Sequence, residues 1–376
     1  MTNVSAESVQ RQKYVPQFDG LRGFAILAVL FAHLAYIPPI GFARIFQYGR
    51  LGVDLFFVLS GFLITGILLD SKQLDGYFKN FYARRALRIW PLYYAVLLVF
   101  FVVAPLLFAH RLFDTSERTW AYYVTYTQNL FGGFPHSTPL QPTWSLAVEE
   151  QYYVLWALVV YFFSRKALRN WLIGMILFST VLRAVSYFHG ASLEFLHNFT
   201  LNRLEPLAAG GLAAVWLRSG RASFLTWRRG AWIAILLGVG GVCLVLVDWG
   251  IPTMIFDYAF VAAAFAGVIA LALVGNTARW SFGKVLMQPW LTYTGKISYG
   301  IYLIHVPIFM AIAYAAQGKW GKQAIPFERQ VLIAAVAFAA AFLLASLSWR
   351  YFERPILRFK EKFRPSAPAV QGAPVG

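Results

Sequence analysis

Arg22 and His33 lie eleven residues apart in the first strongly apolar stretch of the chain, GLRGFAILAVLFAHLAYI. At about 100° per residue, eleven residues complete three helical turns, so both side chains share one helix face about 16 Å apart along the axis. An imidazole is well matched to proton transfer near neutral pH. An ionisable side chain inside an apolar span is costly without a partner or a task, so His33 is a candidate catalytic base.

A second candidate is the acidic pair Glu149 and Glu150 in the segment TWSLAVEEQYYVLW. Counted from the expected outer end of its helix, Glu149 lies about five residues deep, at the same depth as His33. A carboxylate beside an imidazole N–H fixes the tautomer of the ring and raises its basicity, so we predict that Glu149 orients His33. Glu150 is about 100° further around the helix, so at most one of the two faces the histidine.

Three arginines in five residues, Arg84, Arg85 and Arg88, occur in NFYARRALRIWPLYY. A guanidinium fork matches the geometry of a phosphate group and binds it through two hydrogen bonds. Arg22 is expected at the same level, so the pattern predicts four arginines that converge on one anion. The simpler interpretation is that they are positive residues of a cytoplasmic loop.

The other polar residues at membrane depth are candidates for binding the substrate, namely Asp54, Ser145, Glu150, Arg203, Glu205, Tyr302 and His305. We expect Asp54 to form an outer polar cluster with Arg183, Arg203 and Glu205. For His305 the alternative is a hydrogen-bonded core position. The outer histidines lack the spacing of metal ligands, and the single Cys243 offers no thiolate cluster, so we predict no metal site.

Membrane helices must position these residues, because 59% of the chain is hydrophobic and only 13% is charged. Such a composition requires lipid as a solvent. The apolar runs predict an all-α polytopic bundle of about ten transmembrane helices, at residues 19–38, 52–69, 89–109, 144–164, 171–188, 203–217, 231–248, 254–274, 297–316 and 330–349. The aromatic segment 120–134 is too polar to span, and we expect it at the interface or as a re-entrant segment.

The positive charges orient this bundle. With the N-terminus inside, the predicted inner segments hold 23 of the 33 Lys and Arg residues and the outer segments hold 7, which predicts that both termini are cytoplasmic. Basic loops beside an anionic leaflet account for the net charge of +17, so we predict no nucleic-acid partner. We expect a cytoplasmic segment at 1–17 without a cleavable signal, a membrane domain at 18–350, and a cytoplasmic tail at 351–376 with a disordered end.

Five segments, in order along the chain, resemble the signatures of the acyltransferase 3 family of integral membrane O-acyltransferases: FDGLRGFAILAVLFAHL, GVDLFFVLSGFLIT, FYARRALRIWPLYY, TWSLAVEEQYYVLW and SYGIYLIH. The resemblance covers about residues 15–355. It implies a multi-pass enzyme of the cytoplasmic (inner) membrane that moves an acyl group, expected to be acetyl, from cytoplasmic acyl-CoA to a hydroxyl of a cell-surface sugar or another glycan or lipid acceptor. Acyl-CoA would be a co-substrate, and no permanently bound cofactor is expected. Many members carry an additional SGNH-type domain that this chain is too short to contain, which leaves the acceptor open.

The resemblance also implies roles for single residues. The Arg-x10-His motif of the family matches Arg22 and His33, the Arg-x-x-Arg motif matches Arg85 and Arg88, and the Ser-Leu-x-x-Glu motif matches Ser145, Leu146 and Glu149. His33 would be the general base or a transient acyl carrier, Glu149 would orient it, and the arginines would bind the phosphates of coenzyme A. The family more often has Asp where Glu205 stands. Two other readings are a transporter or flippase that uses the same His, Glu and Arg groups, and an inactive protein that only binds coenzyme A.

Overall fold

The structure is a computed structural model that describes residues 14–33, 47–108, 120–130, 139–219, 224–245, 255–274, 282–320 and 326–363. Every regular element in these ranges is a helix, which confirms the all-α fold class. The longer helices are α1 (Pro16–Ala32), α2 (Leu51–Ser71), α3 (Tyr77–Leu98), α4 (Trp144–Phe162), α5 (Arg165–Phe188), α6 (Leu204–Leu217), α7 (Phe224–Val245), α8 (Asp257–Val274), α9 (Ser298–Trp320) and α10 (Phe327–Ser348). The predicted disordered end of the tail, and most of segment 1–17, lie outside the described residues.

Each of the ten predicted apolar segments overlaps one of these helices, because a helix satisfies its backbone hydrogen bonds internally and is therefore stable in lipid. Within the described ranges, six helical segments are long and apolar enough to cross a membrane: Leu51–Ser71, Tyr77–Leu106, Arg165–Phe188, Thr226–Leu244, Ser298–Ala316 and Phe327–Phe363. A shorter apolar helix covers Asp257–Leu273. The chain is thus a multi-pass membrane protein, while the count of ten spans and the orientation of the termini stay predictions.

Helix α3 begins at Tyr77 instead of residue 89, so the arginine cluster lies on a helix and not in a loop. Gly76 precedes the helix with a φ of 69°, a left-handed conformation that glycine adopts without a steric penalty. Tyr77 and Phe81, one turn apart, are buried and attach the first turns of the helix to the core. The long aliphatic stems of the arginines cover apolar surface while their charged ends reach a polar environment. The helix can therefore start well before the apolar run from which its start was predicted.

The residues that follow α10 are helical as well. After α10 the chain continues through a π-helical turn, Trp349–Glu353, and then through Arg354–Leu357 and Arg358–Phe363. The predicted tail therefore starts as helix, and within this tail residues 364–376 lie outside the described part of the chain.

Helices α2 and α6 cross in direct backbone contact. A Cβ added at Gly61 would lie 1.9 Å from the carbonyl oxygen of Leu207, and one added at Gly210 would lie 1.9 Å from that of Val58. Small residues allow such an approach in lipid, where close packing instead of the hydrophobic effect drives helix association. The crossing fixes the position of every polar residue on α2 relative to α6.

We predict that Gly61→Ala destabilises the protein, because the added methyl group must displace the backbone of α6. Overpacking of this kind costs about 1–3 kcal/mol. The matched control is Gly174→Ala in α5, where nothing lies within 4 Å of the added Cβ and where alanine favours the helix by about 0.5–1 kcal/mol. Thermal unfolding of both purified variants in one detergent measures the effect, and equal unfolding temperatures would contradict the close crossing.

Candidate active site

Residues of helices α1, α2, α3, α4 and α9 line one cavity. Its polar lining consists of Arg22, Ser60, Arg85, Arg88, Ser145, Glu149, Tyr153, Ser298, Tyr299 and Tyr302. The structure thereby brings six of the predicted site residues to one place, namely Arg22, Arg85, Arg88, Ser145, Glu149 and Tyr302.

Guanidinium groups dominate one part of this cavity. Arg85 and Arg88 lie three residues apart on α3, and the guanidinium carbon of Arg85 is 5.5 Å from the centroid of the Tyr153 ring, which is a cation–π contact. Arg22 donates a hydrogen bond of 2.8 Å to Asp19 on its own helix. Among the described residues no carboxylate forms a salt bridge with Arg85 or Arg88. Both groups therefore keep donors for an anionic ligand.

Glu149 is held in the cavity by hydroxyl groups. Ser60 donates a hydrogen bond of 2.5 Å from Oγ to Oε1 of Glu149, and the Tyr153 hydroxyl lies 2.7 Å from Ser60 Oγ. The positive charges of Arg85 and Arg22 also act on this carboxyl group. The predicted pairing of Glu149 with His33 is therefore wrong.

The error in the depth of Glu149 has a physical cause. The prediction treated Trp144 as the surface end of its helix, whereas Leu140 is 1% exposed, Thr143 is 2% exposed and Trp144 is 5% exposed. The chain enters α4 from inside the protein, so Glu149 lies further into the bundle than a count from Trp144 suggests. This places it beside Ser60, near the middle of α2.

His33 follows the last residue of α1 and contacts His305 of α9, with ring centroids 4.8 Å apart and an interplanar angle of 77°. Its Nδ1 lies 2.8 Å from the carbonyl oxygen of Val29. A carbonyl oxygen can only accept, so Nδ1 carries the proton and Nε2 carries the lone pair. The helix backbone, and not Glu149, thus sets the tautomer of His33.

His305 is completely buried. Its Nδ1 lies 2.8 Å from the carbonyl oxygen of Tyr302 and 3.1 Å from that of Ile301, so this nitrogen also carries the proton. Among the described residues its Nε2 has no hydrogen-bond partner. The interpretation of His305 as a hydrogen-bonded core residue therefore explains only one of its two ring nitrogens.

Tyr302 connects the lining of the cavity with His305. It lines the cavity, and its ring centroid is 5.8 Å from that of His305. Its hydroxyl donates to the carbonyl oxygen of Pro142 at 2.7 Å and lies 2.6 Å from Ser145 Oγ. Neither His33 nor His305 belongs to the lining of the cavity.

Asp54, Arg183, Arg203 and Glu205 form the predicted polar cluster, but none of them lines the cavity. Arg203 donates to Asp54 at 2.6 Å, and Arg183 binds Glu205 through hydrogen bonds of 2.5 and 3.1 Å. All four side chains are at most 3% exposed. Because these charges neutralise one another, the cluster is explained by the packing of α2, α5 and α6, and a substrate-binding role for it stays a prediction.

Two other predicted residues also lie outside the cavity lining, Arg84 on α3 and Glu150, which accepts a hydrogen bond of 3.2 Å from Trp90. Conversely, Ser60 and Tyr153 line the cavity and were not predicted as site residues. The sequence contains a feature that could have identified each of them as a site residue. Ser60 is a polar residue within the apolar run DLFFVLSGFLIT, and Tyr153 follows Glu149 by four residues on the same helix face.

Comparison with known proteins agrees with the family resemblance of the motifs. A family model described as "Acyltransferase domain" matches residues 15–350. The chain is 30% identical over 367 residues to peptidoglycan O-acetyltransferase OatA of Listeria monocytogenes, covering 92% of this chain and 56% of that protein. It is 29% identical over 376 residues to O-acetyltransferase OatA of Staphylococcus aureus, covering 93% of this chain and 58% of that protein. The chain thus spans a little over half the length of these curated relatives, and no solved structure matches it.

We predict that Asp54→Asn destabilises the protein strongly, because it leaves the buried charge of Arg203 without its counter-charge. Breaking a buried pair from one side costs about 3–5 kcal/mol. The matched control is Asp70→Asn, since Asp70 pairs with Arg218 at 2.6 Å but is 46% exposed, and exposed pairs contribute about 1 kcal/mol or less. Thermal unfolding of the two variants measures the difference, and equal losses would refute a stabilising role for the buried pair.

Proposed function

We propose that this chain, which belongs to the acyltransferase domain family, is a membrane-embedded O-acyltransferase that moves an acetyl group to a hydroxyl of a cell-wall glycan. The relatives named above support the proposal, because both are O-acetyltransferases and one is named for peptidoglycan. The observation that carries it is the cavity itself, in which three guanidinium groups meet a carboxyl group and several hydroxyl groups. Such a lining suits a donor with an anionic part and an acyl part.

The proposed donor is cytoplasmic acyl-CoA, with acetyl-CoA as the first candidate. Arg22, Arg85 and Arg88 would bind its phosphates, since planar guanidinium groups hold phosphate oxygens bidentately. Arg84, next to Arg85 but outside the cavity lining, would add positive charge that attracts the anion. The proposed location is the cytoplasmic membrane, with the arginines toward the cytoplasm and the glycan acceptor toward the opposite face.

His33 is the proposed general base. About 16 Å separate the Arg22 and His33 positions along α1, a length comparable to the reach of the pantetheine arm, so the acyl end would pass Ser145 and Tyr302. Nε2 of His33 would take the proton of the acceptor hydroxyl while the oxygen attacks the thioester carbonyl carbon. The carbon–sulfur bond breaks as the tetrahedral intermediate collapses, and the departing thiolate recovers that proton from the imidazolium ring.

Glu149 receives a different role from the one predicted for it. Ser60 and Tyr153 hold its carboxyl group beside Arg85, so we assign it to positioning the arginines and the donor. In this assignment the loss of Glu149 weakens use of the donor, whereas the loss of His33 removes the proton transfer. A transporter built from the same groups would show neither effect, because it would not cleave a thioester.

We predict that Arg85→Gln and Arg88→Gln each raise the KM for acetyl-CoA about 10- to 100-fold, because each removes a charge-assisted hydrogen bond worth about 1.5–3 kcal/mol. The measurement is thiol release and acetyl transfer from acetyl-CoA by the protein in nanodiscs, with soluble peptidoglycan fragments as the acceptor. Arg169→Gln is the matched control, since Arg169 lies on α5 and contacts Asn170 outside the cavity.

Three outcomes of this experiment would count against the proposal. Unchanged KM values for both variants would remove the arginines from the donor site. A wild-type protein that binds acetyl-CoA but releases no thiol would contradict the enzyme assignment, and one that does not bind acetyl-CoA would favour another donor or a transporter.

A further inference from the structure

The Nε2 of His305, which has no hydrogen-bond partner within the described ranges, is unusual for its surroundings. The residue is completely buried, and the rings around it are Tyr302 at 5.8 Å, Phe309 at 5.9 Å and His33 at 4.8 Å between centroids. A buried acceptor without a hydrogen bond is destabilising, because it has lost its bond to water without gaining another. An apolar ring at this position would avoid that cost. The presence of Nε2 therefore indicates a hydrogen bond that forms in another state of the site.

The contact with His33 indicates which state that is. A general base that has taken a proton carries a positive charge, and enzymes commonly stabilise such an imidazolium with a carboxylate. Here the expected carboxylate, Glu149, is bound to Ser60. Within the described part of the chain, the titratable groups next to His305 are His33 and Tyr302, and the Tyr302 hydroxyl is engaged by Pro142 and Ser145.

We infer that His305 is a positioning residue that acts through His33, so that the two imidazoles work as one base holding a single proton. The inference rests on the proposed function. The proton leaves the acceptor hydroxyl for Nε2 of His33, and the lone pair and ring of His305 stabilise the resulting charge. When the carbon–sulfur bond breaks, the proton moves to the thiolate, and both rings return to their neutral tautomers.

The backbone contacts of the two rings explain why the pair holds one proton and not two. Each Nδ1 is committed to a carbonyl oxygen, of Val29 for His33 and of Tyr302 and Ile301 for His305. Each ring therefore has one basic nitrogen, Nε2. With the centroids 4.8 Å apart, a charge on one ring strongly disfavours a second charge on the other. One proton per pair matches the one proton that each acyl transfer must move.

The test compares His305→Phe with His305→Gln in nanodiscs, using acetyl-CoA and soluble peptidoglycan fragments. Phe fills the site but accepts no hydrogen bond, whereas the amide of Gln places a polar atom near the former Nε2. We expect His305→Phe to lower kcat about 100-fold with an unchanged KM for acetyl-CoA, and His305→Gln to restore most of the loss. If His305 only packs, the order is reversed, because Phe suits the aromatic surroundings and Gln does not.

A double-mutant cycle with His33→Gln tests whether His305 acts through His33. Adding His305→Phe to His33→Gln should lower kcat no further, whereas independent losses that add would overturn the inference. The matched control is Phe309→Leu, which alters the aromatic wall on another side of His305 and should leave kcat unchanged. Unfolding temperatures in detergent show that each variant is folded.

The outcomes separate this inference from the function on which it rests. An active wild type together with an equally active His305→Phe overturns the inference alone. A wild type that transfers no acetyl group from acetyl-CoA overturns the proposed function and the inference with it.

Discussion

The low dielectric inside a membrane helix bundle makes every unpaired charge expensive, and the arrangement of this protein depends on that constraint. Removing an ion from water costs several kcal/mol, so a buried charge persists only with a partner or with access to a polar cavity. The protein uses both solutions. Asp54 with Arg203, and Arg183 with Glu205, are closed pairs at most 3% exposed. Arg85 and Arg88 face the cavity and form no salt bridge with a carboxylate of the described residues.

The closed pairs and the open arginines are connected through α2. Near one end of this helix Asp54 binds Arg203, in its middle Gly61 touches the backbone of α6, and between them Ser60 binds Glu149 of α4. Three kinds of contact, ionic, steric and hydrogen-bonded, therefore determine the position of one helix within two or three turns. Such precision matches the demand of the proposed reaction, in which the donor must be held to within about an ångström of the reacting group.

Sequence patterns predicted the helices well because an apolar run in lipid has few alternatives to a helix. They also predicted the Asp54 cluster and the convergence of Arg22, Arg85 and Arg88, because charges at membrane depth must find partners or a cavity. The predicted depth of Glu149 was wrong, because residues just before Trp144 are buried and the helix therefore does not start at the membrane surface. Hydrophobic periodicity does not reveal where a helix starts relative to that surface. The contact of His33 with His305 depends on how α9 packs against the end of α1, which no local pattern reveals.

The hydrogen bonds of Tyr302 to Pro142 and Ser145 have a consequence for the permeability of the cell. A polar cavity that extended without interruption along a membrane protein would let ions and water cross, and the voltage across the bilayer would drive that leak. Here Tyr302, whose hydroxyl is bonded to the backbone, lines the cavity, and the fully buried imidazole of His305 packs against it. An enzyme with the proposed anionic donor must still keep the bilayer electrically insulating, and the close packing of Tyr302 and His305 beside the cavity serves that requirement.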